Sequence, residues 1–205
     1  MNYLFSLDST DKLASVNLKQ IKSKSILSRN LINYKQPLPQ GITTSTMLQT
    51  FKVTLNVDKQ PASSLNLFFD KGRKNKNGIY ETRPWYEIEI GASVSDIKNP
   101  HYPISIPNAK KQGGKSRNGE FIAYLKKGSD YFKVKMVVFA DNGKNIASHK
   151  DSGGRETFGQ YIKGQLEDAK VLRVGERITS DTLSRYGKDY IEFIKIGINE
   201  YIIEF

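Results

Sequence analysis

Apolar and polar residues alternate along several segments of the chain from residue 50 onward. In residues 51–58, Phe, Val, Leu and Val alternate with Lys, Thr, Asn and Asp. Residues 86–90, 121–125 and 131–139 show the same two-residue period, and Gly128-Ser129-Asp130 separates the last two. Because successive side chains of a strand point to opposite faces of a sheet, this period predicts half-buried strands. Their spacing and intervening turn residues are typical of an antiparallel β barrel or sandwich.

Two later segments have helical spacing instead. Residues 157–166 place apolar side chains three or four positions apart, which predicts a short helix. Thr179 has the character of a helix N-cap, and Gly187 follows where the second helix is expected to end. Strands are predicted over residues 190–196 and 200–205, joined as a hairpin. The pattern therefore predicts a mainly β fold with two short helices.

The first part of the chain is less regular. Apolar residues are scattered among Ser, Asn and Lys in residues 1–36, with a weak helical pattern over residues 18–27. Pro37-Leu38-Pro39-Gln40-Gly41 is a cluster of residues that break helices and strands. It is the best candidate for a boundary, and we interpret residues 1–40 as a linker or as the tail of another segment.

Composition excludes several classes of site. The 205 residues include no cysteine, which excludes a disulfide scaffold, a Cys-ligated zinc site and a thiol nucleophile. There are two histidines, too few for most His-rich metal sites. No apolar run approaches the roughly 18 residues of a membrane span, and no signal-peptide core is visible. We therefore expect a soluble, cytoplasmic protein with no metal, cofactor or membrane partner.

Charge indicates a polyanionic partner. The formal net charge is +11, and residues 1–60 and 61–145 carry 23 basic and 11 acidic side chains. Residues 146–205 are nearly neutral, with 9 basic and 10 acidic side chains. A basic face or arm on a neutral base favours nucleic acid over a membrane surface. A basic protein that binds nothing acidic is the alternative.

Two polar segments carry the candidate contacts. Residues 68–86 hold five basic side chains and two asparagines beside several aromatics. Residues 141–155 begin with Asn142-Gly143, which is first of all a signal for a tight turn. Arg can pair with guanine, Asn with adenine and Lys with phosphate. A solvated loop with its aromatics in the core is an equally good interpretation of the first segment.

Catalytic motifs of nucleases are not matched. A phospholipase-D-type site needs His-x-Lys, which neither His101-Tyr102-Pro103 nor His149-Lys150-Asp151 provides. Glu87-Ile88-Glu89-Ile90 has the acids of a PD-(D/E)xK site, but isoleucine stands in the lysine position. We identify no catalytic residue and no metal ligand, and whether the chain is an enzyme stays open.

The order of several segments resembles a known family. Arg83-Pro84-Trp85-Tyr86-Glu87 opens a strand after a basic Gly-Arg loop, and Phe158-Gly159-Gln160-Tyr161-Ile162 lies on a helix. Residues 178–183 and 201–205 follow in order. Over residues 61–205 the chain resembles the C-terminal DNA-recognition domain of NgoFVII/BfiI-type restriction endonucleases. That domain is similar to the plant B-three transcription-factor domain and to the effector domain of EcoRII.

The resemblance implies a mainly β, seven-stranded open pseudobarrel with two short helices over residues 61–205. Residues 1–60 would be a basic linker or N-terminal extension. Such domains grip the major groove of double-stranded DNA with two arms, here the N-arm (Asp70–Tyr86) and the C-arm (Asp141–Asp151). The expected base contacts are Arg73, Lys74, Asn75, Asn77, Arg83, Asn142, Lys144 and Asn145. The expected contacts to the DNA backbone are Lys71, Lys76, His149 and Lys150.

The leading hypothesis is therefore sequence-specific DNA recognition, as the target-recognition domain of a bacterial type II restriction endonuclease. Full-length enzymes of the family carry an N-terminal phospholipase-D-type nuclease domain, for which residues 1–60 are too short. A separate nuclease domain or subunit is thus a candidate partner. The alternatives are a compact nuclease with an unrecognised active site and a non-specific nucleic-acid-binding β barrel. The insert at residues 97–117 could be a further phosphate-contacting loop or a disordered one.

Overall fold

The chain forms one curled, seven-stranded half-barrel. The structure is a computed structural model that describes residues 31–39, 49–57, 65–72, 74–103, 119–139 and 144–205. The strand order is β1-β6-β7-β3-β4-β5-β2. The strands are β1 Gln49–Thr54, β2 Ile90–Gly91, β3 Gly119–Lys127, β4 Asp130–Phe139, β5 Asn145–Ser148, β6 Tyr190–Gly197 and β7 Glu200–Glu204. The predicted mainly β open barrel is confirmed.

Alternation along the strands corresponds to the two faces of this sheet. In β1, Phe51 and Val53 are buried whereas Lys52 and Thr54 are exposed. The β3–β4 pair has the longest antiparallel register, from Gly119 opposite Val138 to Lys127 opposite Asp130. All neighbouring strands are antiparallel except β3 and β7, which are parallel. The sheet therefore buries one face of each long strand against a common core.

The described residues contain three α-helices: α1 Val94–Ile97, α2 Arg155–Asp168 and α3 Ser180–Tyr186. The helices predicted at residues 157–166 and after Thr179 correspond to α2 and α3. Thr179 and Thr182 form a capping box, and Gly187 ends α3 with a φ of +86°. No helix in the described part of the chain is long and apolar enough to cross a membrane.

Helix α2 packs against the sheet. Phe158, Tyr161 and Ile162 are fully buried. The Tyr161 hydroxyl donates to the Lys126 carbonyl of β3 at 2.7 Å and accepts from the Phe205 N–H at 3.1 Å. These bonds hold the helix on the end of β3 and on the C-terminal residue that follows β7.

The strand predicted over residues 86–90 is wrong except at its last residue, because Tyr86–Glu89 lie outside the sheet. A Cβ atom on Gly159 of α2 would lie 1.6 Å from the Tyr86 carbonyl oxygen, so the helix backbone packs directly on this segment. Ile88 and Glu89 are both buried, so the alternation of apolar and polar residues in this segment does not separate a buried face from an exposed one. Strand β5 was not predicted, because all four of its residues are buried.

The predicted domain boundary at residue 60 stays a prediction. Strand β1 lies on the N-terminal side of that boundary and pairs with β6, and Leu31 belongs to the buried core. The predicted helical pattern at residues 18–27 and residues 104–117 of the insert lie outside the described residues.

Candidate nucleic-acid interface

The outer part of the N-arm is a tight hairpin. Lys74 pairs with Tyr80 in an antiparallel bridge, and the Asn75 N–H donates to the Ile79 carbonyl at 2.8 Å. The Gly78 N–H donates to the Asn75 carbonyl at 2.9 Å. Gly78 has a φ of +77°, the left-handed conformation that glycine adopts at little cost. Residues 75–79 therefore form the tip of a two-stranded ribbon.

The Asn75 side chain shapes this tip. Its Oδ1 accepts from the N–H groups of Asn77 at 2.9 Å and Ile79 at 3.1 Å. The carboxamide oxygen of Asn75 is thus used inside the hairpin, where it fixes the turn. Asparagine is favoured in turns because it makes such local bonds to the backbone.

Three lysines make the outer N-arm cationic. Lys71, Lys74 and Lys76 are exposed, as is Asn77. The ammonium groups of Lys71 and Lys74 lie 5.8 and 5.2 Å from the centroid of the Tyr80 ring. The aromatic face therefore holds two cations on the same hairpin. Arg73 lies outside the described residues.

The two legs of the N-arm touch at Gly72. A Cβ atom at this position would lie 1.4 Å from the carbonyl oxygen of Glu81, an impossible separation. Only glycine allows the backbones to approach this closely without rearrangement. Gly72 thereby closes the base of the hairpin.

The inner end of the N-arm is anchored to α2. Trp85 Nε1 donates to Glu167 at 2.8 Å, and the Tyr86 hydroxyl donates to the other oxygen of that carboxylate at 3.1 Å. Both aromatic residues are buried. Burial raises the pKa of Glu167 and, together with the nearby Glu167 charge, that of Tyr86. One carboxylate thus fixes both rings at the point where the N-arm enters the core.

Lys163 completes this anchor from the interior. Its side chain is fully buried, and Nζ donates to the Trp85 carbonyl at 2.5 Å while lying 4.1 Å from the Trp85 ring centroid. Burial disfavours the charged form and lowers the pKa of Lys163 to about 7. The charges of Glu167 and Glu87 act in the opposite direction.

Arg155, at the start of α2, joins the roots of both arms. Its Nη1 lies 3.3 Å from Glu87, which also pairs with Arg83 at 3.1 Å, and it forms an ion pair with Glu89. Its guanidinium also lies 5.0 Å from the ring centroid of Phe139, the last residue of β4 before the C-arm. A cleft of about 300 Å³ opens here, lined by Gly72, Glu81, Thr82, Arg83, Pro84, Glu87 and Arg155.

Asn145 links the C-arm to the same network from inside the protein. It is 6% exposed, and its Nδ2 donates to Glu89 at 3.2 Å. Burial raises the pKa of Glu89, while Arg155 and Arg83 lower it. Asn145 therefore faces the interior in this structure rather than a surface ligand.

The remaining C-arm residues differ in accessibility. Lys144 and Lys150 are exposed, and the Lys144 carbonyl accepts from the Ala92 N–H at 2.7 Å. His149 lies between two carboxylates, with Nε2 3.2 Å from Glu120 and Nδ1 3.1 Å from Asp151. Nδ1 also accepts a hydrogen bond from the backbone N–H of Asp151 at 3.2 Å. Asn142 lies outside the described residues.

The structure describes ten of the twelve predicted contacts, all except Arg73 and Asn142, and divides these ten into three groups. Four exposed residues share the N-arm hairpin: Lys71, Lys74, Lys76 and Asn77. Lys144 and Lys150 lie beyond the two ends of β5. Four more have partners within the protein: Asn75, Arg83, Asn145 and His149. A contact between DNA and any of these twelve residues stays a prediction.

Sequence reasoning missed the residues that connect the arms. Glu87 and Glu89 were considered only as acids of a nuclease site, and Arg155 was not singled out. The sequence held part of the signal, because two acids two positions apart in a predicted strand call for a basic partner. It did not point to Arg155, which is 68 positions from Glu87. In the described part of the chain, no group of three His, Asp or Glu side chains is placed to hold a metal ion.

A known domain family matches most of the chain. The family model of the NgoFVII C-terminal B3-like DNA-binding domain matches residues 41–197. The chain belongs to this family. Membership indicates that the domain binds DNA, and DNA is its partner. No curated protein shows significant similarity to the chain.

Proposed function

We propose that this B3-like domain recognises a specific sequence in double-stranded DNA by inserting the N-arm and the C-arm into the major groove. The observation that carries the proposal is the N-arm hairpin with its three exposed lysines, closed at Gly72 and anchored on α2. The major groove of B-form DNA admits a two-stranded ribbon of this kind. We further propose that the domain is the target-recognition part of a type II restriction endonuclease.

Accessibility supports two different roles for the predicted contacts. We assign base readout to the exposed residues Lys74, Asn77 and Lys144. Arg73 and Asn142 lie outside the described residues, and we propose for them the base contact expected from the sequence. Phosphate contact is assigned to Lys71, Lys76 and Lys150. The internal partners of Asn75, Arg83, Asn145 and His149 support positioning roles instead.

The network at Arg155 supports direct readout by both arms together. Base recognition requires donors and acceptors held at fixed positions, since a bidentate contact tolerates little displacement. Arg155 contacts Glu87 on the N-arm side and Phe139 at the start of the C-arm side. We infer that this connection sets the spacing of the arms to that of the bases they read.

DNA cleavage is assigned to another part of the enzyme. The matched domain is the C-terminal part of NgoFVII. We therefore propose that a nuclease domain or subunit accompanies this domain. A cleavage assay of the isolated chain with magnesium, against a chelator control, tests the alternative of a compact nuclease.

The deciding experiment is selection from a random duplex library at about 150 mM salt without metal. Enrichment of one short motif is expected, because sequence-specific binding survives salt that weakens phosphate contacts. Single-stranded DNA and double-stranded RNA of the selected sequence serve as competitors and should not displace the duplex. Uniform recovery of all sequences, or equal competition by RNA, would contradict the proposal.

A further inference from the structure

Ile79 occupies an unusual place for a large apolar residue. It lies at the tip of the N-arm hairpin and is 63% exposed. A single exposed apolar side chain is common on protein surfaces, so exposure alone does not indicate a role. Ile79 differs from such a residue in its fixed backbone and in the lysines on the same hairpin.

The backbone of Ile79 is fixed on both sides by one residue. Its N–H donates to Asn75 Oδ1 at 3.1 Å, and its carbonyl accepts from the Asn75 N–H at 2.8 Å. Gly78 supplies the left-handed turn immediately before it. The hairpin thus sets the direction in which the Ile79 side chain leaves the tip before any ligand binds. Little conformational entropy of the backbone remains to be lost on binding.

The hairpin that carries this apolar side chain is cationic. Lys71 and Lys74 lie close to the ring of the adjacent Tyr80, and Lys76, three positions before Ile79, is exposed. The ligand that fits must therefore combine negative charge with an apolar group. In the major groove of DNA, thymine presents such a group, its C5 methyl, next to the phosphate backbones.

We propose that Ile79 determines specificity by packing against the 5-methyl group of a thymine in the recognised sequence. This inference rests on the proposed function and extends it to one chemical group of the substrate. Cytosine carries hydrogen at the same position and leaves the Ile79 side chain without that contact. Tyr80 acts as the support that holds Lys71 and Lys74 beside the tip.

The test removes one methyl group from the DNA. In the duplex obtained by selection, each thymine is replaced in turn by deoxyuridine, which preserves base pairing. For the unmodified protein, the dissociation constant should rise about fourfold at one position, the effect of burying one methyl group. For Ile79→Ala, thymine and deoxyuridine at that position should bind equally. The substitution is at an exposed site, and thermal unfolding verifies that the fold is retained.

The control is Ile198→Ala, which truncates an 89% exposed isoleucine in the β6–β7 turn outside both arms. It should keep the full sensitivity to deoxyuridine. Equal binding of all deoxyuridine duplexes by the unmodified protein would overturn the inference, as would a sensitivity that Ile79→Ala leaves unchanged. In both cases a selected motif would remain, so the proposed function would stand. Failure of the selection itself would overturn the proposed function and this inference with it.

Discussion

At the scale of single residues, three residues of α2 are of types that destabilise a buried helix, and a single contact explains all three. Gly159, Lys163 and Glu167 are spaced four apart and lie on the same face of the helix. Glycine weakens a helix interior, and a buried lysine is costly. All three contact the Trp85-Tyr86 segment: glycine by close approach, lysine through a carbonyl and glutamate through two side-chain donors. The helix sequence is thus adapted to anchor the N-arm rather than to maximise helix stability.

Lys163 predicts a pH dependence of folding stability. The pKa of this lysine is lowered from 10.5 to about 7 on folding, so between these values the unfolded chain binds one more proton than the folded protein. The free energy of unfolding should therefore rise with pH, by about 1.4 kcal/mol per pH unit at most. Lys163→Met should remove this rise. Urea unfolding between about pH 7 and 9.5, followed by the fluorescence of the single tryptophan, measures both slopes.

The pH range of these unfolding measurements ends at about 9.5 because tyrosines titrate above it. Burial raises the pKa of Tyr86 and Tyr161, and near pH 10 these groups begin to make stability fall as pH increases. Lys133→Met, a change of the same type at an exposed position of β4, should retain the slope of the unmodified protein. Identical slopes for the Lys163 and Lys133 variants would show that Lys163 does not cause the effect.

At the scale of elements, the N-arm depends on the contact between its legs. Gly72→Ala would place a methyl group against the Glu81 carbonyl and force the legs apart. Binding of the selected duplex should weaken about tenfold or more, as expected for the loss of one good base contact. The free energy of unfolding should change by about 0.5 kcal/mol or less, since the hairpin is exposed. Fluorescence anisotropy and urea unfolding measure the two quantities.

The matched control is Gly128→Ala in the β3–β4 turn. Gly128 has a φ of +60° with open space around it, so alanine there strains the backbone without a clash. This variant should lose stability by about 1 kcal/mol and bind DNA normally. A Gly72 variant that lost stability while binding normally would contradict the assigned role of the hairpin.

The same scale shows which parts of the molecule a sequence can predict. Strands such as β1 and β4 were predicted because one face of each packs on the core while the other meets solvent. Strand β5 was not predicted because it is short and buried on both faces. Residues 86–89 alternate as a strand does, but they lie outside the sheet, where Tyr86 packs against the backbone of α2 at Gly159. Composition located the arms but not the residues that hold them, since Arg155 and Glu87 are 68 positions apart.

At the scale of the whole molecule, α2 connects the two arms with the barrel. Its first residue, Arg155, contacts both arm roots, and Glu167 near its end holds the aromatic anchor of the N-arm. Residues 146–205, which include this helix, carry nearly balanced charge, whereas the basic excess precedes them. The chain thus separates a nearly neutral segment from a strongly cationic one. Under the proposed function, the cationic arms form the binding surface, and the separation would let them attract DNA without destabilising the core through charge repulsion.

The division of roles within that surface can be measured by salt dependence. Lys76→Ala removes a proposed phosphate contact, so it should weaken binding to selected and scrambled duplexes alike. The slope of log K against log salt concentration should become shallower by about one, because one fewer counterion is released. Asn77→Ala, at the neighbouring exposed position, should cost about 1–3 kcal/mol for the selected duplex alone and leave the slope unchanged. Anisotropy titrations between about 50 and 200 mM salt separate the two behaviours.

The control is Lys133→Ala, which removes an equal charge outside both arms. It should change neither the affinity nor the salt slope, since only a cation that meets a phosphate releases its counterion. If the Lys133 variant lowered the slope as much as the Lys76 variant, the binding surface would extend beyond the arms. If Asn77→Ala weakened all duplexes equally, this side chain would not read a base.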